Sequence, residues 1–133
     1  MNLPHDIEDR TAAYKQYLEI YNYLESGDLR ASDSAPLIGE LSAYITNLQA
    51  RFESLAETCP DYLLDPFEDI ADALSQMLEA VVHLQQCAEN GRLQEVKTEW
   101  AWEAEKALRQ ARDQIIALHR ETSGEDLSHQ FRL

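Results

Sequence analysis

The chain has 133 residues, 44% of them hydrophobic, with only four Gly and four Pro, a composition that suits one globular domain and argues against disorder. Its 25 Asp and Glu outnumber 11 Lys and Arg, and the formal charge of −14 sets it against nucleic-acid backbones and anionic membranes, with no basic patch segregated to compensate. No apolar run approaches membrane-spanning length, no signal-peptide pattern opens the chain, and two widely spaced cysteines, Cys59 and Cys87, suit free thiols; the expectation is a cytoplasmic protein with no membrane contact.

The first predicted helix runs from about Asp6 to Glu25, with Ile7, Tyr14, Leu18, Tyr21 and Leu24 on one stripe and Gly27 as its stop. A second stripe, Tyr17, Ile20 and Tyr23, is left over and calls for another cover; a second copy of the chain is one expectation, making a homodimer. The second helix opens with Ser34 as N-cap near Pro36 and carries Leu37, Leu41, Tyr44, Ile45, Leu48, Phe52 and Leu55, ending before Pro60. The third starts with Asp65 as cap and Pro66 at its first position, with Glu68 and Asp69 complementing the helix dipole. Its seam, Phe67, Ile70, Leu74, Met77, Val81, Leu84 and Ala88, alternates strictly by threes and fours, and Asn90-Gly91 closes it.

The fourth helix spans about Arg92 to Thr122, with Leu93, Val96, Trp100, Ala104, Ala107, Ala111, Ile115 and Leu118 inward. That 3-4-4 spacing suits a nearly straight helix, and at ~1.5 Å per residue its length of about 45 Å exceeds the third helix's ~36 Å, so an overhang is expected. The fold expected is all-α: a four-helix, up-down-up-down antiparallel bundle with a long fourth helix, one domain over 1–124, and a short C-terminal tail over 125–133, for which fraying into disorder is the commoner outcome and Leu127, Phe131 and Leu133 are the candidates for docking.

Chemistry finds little purchase. A carboxylate-bridged di-metal bundle uses Glu-x-x-His motifs, and none of His5, His83, His119 or His129 has a Glu three residues before it, so neither metal nor cofactor is expected. No Gly-rich phosphate loop, nucleophile elbow or Cys-His motif is present. The run Glu68-Asp69-Ile70-Ala71-Asp72 resembles the Glu-Glu-x-x-Glu motif of MazG-like nucleotide pyrophosphohydrolases; the resemblance implies a Mg²⁺-dependent nucleotide hydrolase with Glu68, Asp69 and Asp72 as ligands. It covers five residues, and the family's downstream Glu-x-x-Asp has no counterpart here.

The leading expectation is therefore a non-enzymatic interaction protein, an adaptor, chaperone or inhibitor. Residues 52–91 hold nine acids and no Lys or Arg, which points to a basic protein partner. Trp100 and Trp102 lie about 200° apart on their helix, so Trp100 is assigned to the core and Trp102 to the surface. The expected contact residues are Tyr17, Ile20, Tyr23 and Trp102 with the acids Asp61, Asp65, Glu68, Asp69 and Asp72.

Overall fold

A computed structural model describes residues 13–123, and every regular element among them is helical. The helices are α1 (Ala13–Ser26), α2 (Ala31–Thr58), α3 (Asp61–Glu89) and α4 (Thr98–Ser123), with a single 3-10 turn at Leu93–Glu95. The helical start expected at Asp6, with Ile7, and the tail from Glu125 with Leu127, Phe131 and Leu133 lie outside the described residues.

The four helices pack around one core with α3 at its centre, lying along both α2 and α4, while the shorter α1 touches all three. The central place of α3 follows from its sequence. The whole expected seam is buried, and Leu63, Ala71, Ala73, Ala80 and Cys87 beside it are buried too, so apolar surface faces several neighbours at once. Phe52 of α2 meets Phe67 of α3 with ring centroids 5.9 Å apart, and Gln49 reaches the Ser75 hydroxyl and the Ala71 carbonyl one turn further along. At the far end of α4, the buried His119 shares a 3.2 Å hydrogen bond with the Tyr62 hydroxyl of α3.

Helix ends depart from the expected signals where the chain could begin a turn earlier. Ser34 does not cap α2; it sits one turn inside, buried, with its hydroxyl donating to the Ala31 carbonyl at 2.7 Å. Pro66 is likewise the sixth residue of α3 and not its first, because Pro60 supplies a φ of −58° just before Asp61. A proline this early removes only one intrahelical bond, so Pro36 and Pro66 are carried inside their helices. The C-terminus of α3 is as expected: Gly91 adopts φ +68°, Arg92 N–H donates to the Cys87 carbonyl at 2.8 Å and Gly91 N–H to that of Ala88. That pattern satisfies carbonyls the helix itself leaves free.

Two inward faces are rotated from their expected positions. In α1 the buried set is Ala13, Tyr17, Ile20 and Leu24, while Tyr14, Leu18 and Tyr21 are half-buried on one flank and Tyr23 is 54% exposed on the other. The apolar arc is broad, and its middle faces the core. In α4 the buried apolar positions are Ala101, Ala104, Leu108, Ala111 and Ile115, an alternation of threes and fours in place of the 3-4-4 repeat. Trp100, expected inside, is 41% exposed. Alanines at the contact let α4 approach α3 closely, which an indole there would prevent. The fourth helix is also not the longest: the chain from Arg92 to Lys97 is spent on the 3-10 turn and an extended Val96, leaving 26 residues in α4 against 29 in α3.

Candidate functional site

The α3 side facing water carries the most distinctive chemistry. Its 29 residues include seven carboxylates, Asp61, Asp65, Glu68, Asp69, Asp72, Glu79 and Glu89, and no Lys or Arg. All seven are exposed, and among the described residues no ion pair ties any of them to a cation. The local reason is periodicity, since the seam takes the inward positions and leaves the acids outward. Across the groove with α2, Glu68 is joined by Glu53 and Glu57 in lining a shallow recess. Asp69 and Asp72 instead line a recess shared with α4, opposite Gln110 and Gln114.

That division bears on the hydrolase-like motif. Glu68 leans toward α2 while Asp69 and Asp72 lean toward α4, so the three acids do not converge. Among the described residues, no three His, Cys, Asp or Glu side chains come together as a cation site would need.

Of the aromatic contact residues expected, Tyr17 and Ile20 are buried within the chain, so the uncovered stripe that motivated a homodimer does not exist. Tyr23 and Trp102 are accessible, Trp102 at 40%. The two tryptophans flank the buried Ala101 and occupy opposite edges of α4. Trp102 stands on the α1 side, 5.7 Å from the Tyr14 ring, with Lys106 and Arg109 over its face at 5.9 Å each. Trp100 stands on the outer side, its ring 4.6 Å from that of His83, with Lys97 over it at 5.5 Å. His83 Nε2 accepts the Lys97 backbone N–H at 3.2 Å, fixing the chain where it enters α4.

Around this second tryptophan lies a surface the sequence reading missed. Leu78, Val82 and His83 of α3 face Trp100 across an open groove, and Val82 is 41% exposed. The available signal was Val82 itself, an apolar side chain one position beyond the α3 seam, on the helix whose other outward residues are largely acidic or amide.

Two buried polar groups have no sequence signature. Glu105 is buried on α4; its Oε1 accepts from Arg109 Nε at 2.8 Å, and its Oε2 has no partner among the described residues. The Tyr17 hydroxyl is likewise buried without a partner among the described residues, and burial, followed by the neighbouring Tyr21 and Tyr14, pushes its ionisation far above the usual tyrosine range. Both cysteines are free; burial raises the ionisation of the Cys59 thiol, and Cys87 packs beside His83 at the core's edge. No helix among the described residues is long and apolar enough to cross a membrane. No family model matches this chain, and no curated protein or solved structure matches it.

Proposed function

We propose that this chain is a protein-docking module that works by binding, with the acidic side of α3 as its face for a basic partner protein. The observation that carries the reading is the row of seven exposed carboxylates on the helix at the centre of the fold, none of them in an ion pair among the described residues. An acidic row on a packed, central helix is held rigidly, so it presents a fixed field that steers a cationic surface and selects it over neutral ones. The same reading takes the helices as an up-down-up-down bundle in a cytoplasmic setting. The pairings of Phe52 with Phe67, His83 with Trp100 and Tyr62 with His119 support that topology.

The test is affinity capture with the wild-type chain and with a variant bearing Asn or Gln at Asp61, Asp65, Glu68, Asp69 and Asp72. The reading expects a protein of net positive charge recovered by the wild type alone, with an association rate that falls about tenfold or more as the Debye length shrinks below ~10 Å. A partner held equally by the neutralised variant, at a rate indifferent to salt, would sink it.

A further inference from the structure

Toward the C-terminal end of α3, past Asp72, the half-buried Leu78 and the exposed Val82 interrupt the polar outward side. Leu78, Glu79, Val82, His83 and Gln86 face Trp100 of α4 across an open groove of about 550 Å³. A smaller recess on the other side of the indole is lined by Gln76, Glu79 and Glu103. Trp100 is thus a ridge between two hollows, each with a carboxylate in its wall. The ridge is preformed: the His83 ring packs against the indole at a 39° tilt, and the Lys97 N–H bonded to His83 holds the α4 entry against α3. Preformed aromatic walls spare a ligand the cost of ordering them.

We propose that this groove receives one amphipathic helix of a partner protein, with apolar side chains along one stripe and Lys or Arg beside them. The proposal rests on the docking reading above and adds the anchor that the acidic row lacks. The groove runs along α3 from Ser75 to Gln86, about 16 Å along the axis, with Trp100 as its wall on the α4 side, a length that matches roughly three helical turns and anchors at i, i+3 or i+4, and i+7. Charge complementarity selects the occupant. Glu79 lies within the groove, Glu103 lies beyond the indole, and Asp72 and Asp69 continue the line toward the start of α3. The nearby cations sit on the α4 side, Lys106 bonded to Glu103 at 3.0 Å and Lys97 over Trp100, so the α3 wall keeps one sign. A second copy of a chain carrying −14 would meet that wall with repulsion.

The probe is a synthetic Leu/Lys amphipathic helical peptide carrying a fluorophore, with a Leu/Glu peptide of the same pattern as its counterpart. In a Trp102→Phe chain, Trp100 is the only tryptophan. Its emission should shift to shorter wavelength and saturate with the Leu/Lys peptide, and should not respond to the Leu/Glu peptide. By peptide anisotropy, Val82→Gln and Trp100→Ala should each weaken binding about tenfold or more. Leu37→Gln, at an equally exposed apolar residue of α2, should leave binding unchanged, and melting curves establish that each variant is folded. Binding that survives Val82→Gln and Trp100→Ala but is lost when the five acids of the α3 row are neutralised overturns the groove and leaves the docking reading standing. Absence of binding to the Leu/Lys peptide, or equal binding of the Leu/Glu peptide, also overturns the groove; affinity capture then decides the docking reading separately. A doubled sedimentation mass abolished by Val82→Gln would give the groove to a second copy and overturn the proposal.

Discussion

Replacing Tyr17 by Phe tests the packing of α1 at a single atom. The ring is fully buried and its hydroxyl has no partner among the described residues, so the folded chain bears the cost of removing that group from water. An unpaired buried hydroxyl costs about 1–3 kcal/mol, and the small gap left by its removal gives part of that back, for a net stabilisation of about 1 kcal/mol. In a domain of this size that raises the midpoint of thermal unfolding by about 4 °C. Alkaline pH supplies a second reading. Burial, then Tyr21 and Tyr14, raise the ionisation of Tyr17 in the folded chain, so below about pH 10 both states keep the proton and the stability is intact. Above that pH the unfolded chain releases the proton while the folded chain holds it, and the wild type loses about 1.4 kcal/mol per pH unit relative to the Phe variant. Melts followed by circular dichroism at pH 7 and pH 11 should therefore show a gap that more than doubles. A Phe variant melting at or below the wild type at pH 7 would mean that the hydroxyl is satisfied, and an unchanged gap at pH 11 would mean that the phenol ionises as freely folded as unfolded.

Leu74→Ala empties a fully enclosed site on α3 and should cost about 2–5 kcal/mol by chemical denaturation; a change under half a kilocalorie would remove Leu74 from the core. Ile20→Glu places a carboxylate in the α1 seam and should abolish the cooperative melt, whereas a folded variant of unchanged mass would show that α1 is dispensable. Glu105→Leu removes a buried carboxylate with one unpaired oxygen and leaves Arg109 free to turn to water, so stability should hold or rise by about 1 kcal/mol; a loss above 2 kcal/mol would make the ion pair a net support. Added NaCl should raise the melting temperature of the free chain by several degrees through screening of the α3 acids, and the five-fold neutralised variant should lose most of that response. A wild-type melt indifferent to salt would deny the repulsion.

The heptad seam of α3 was legible because its apolar residues are large and its alternation has no competitor, and all seven positions read from the sequence are buried. The faces of α1 and α4 were not, and for opposite reasons. In α1 apolar side chains cover so much of the circumference that two stripes fit the spacing, and only the partners decide which lies deepest. In α4 the positions against α3 are mostly alanines, which a hydrophobicity pattern ranks below the neighbouring Trp100 although only the small side chain fits the close approach. A slip of one residue there moved Trp100 from surface to core and hid the groove beside Val82. The acids of the candidate face were legible as residues, but their division between two grooves depended on where α2 and α4 lie against α3.

That division also weighs what the acids are for. Solubility would be served by carboxylates scattered over the surface, yet α3 places Asp61 with Asp65, Asp65 with Asp69 and Glu68 with Asp72 one turn apart, and Asp65 with Glu68 and Asp69 with Asp72 at three-residue spacing. Like charges at these spacings destabilise a helix by about 0.2–0.5 kcal/mol each, so the five pairs cost the free chain about 1–2.5 kcal/mol, a noticeable part of a small domain's stability. The buried seam of α3 tolerates that cost, and a cationic partner would reverse its sign by turning each repulsion into a shared attraction. The stability lost by the free chain at low salt and the affinity gained with a basic partner therefore have one source, and neutralising the row should abolish both together.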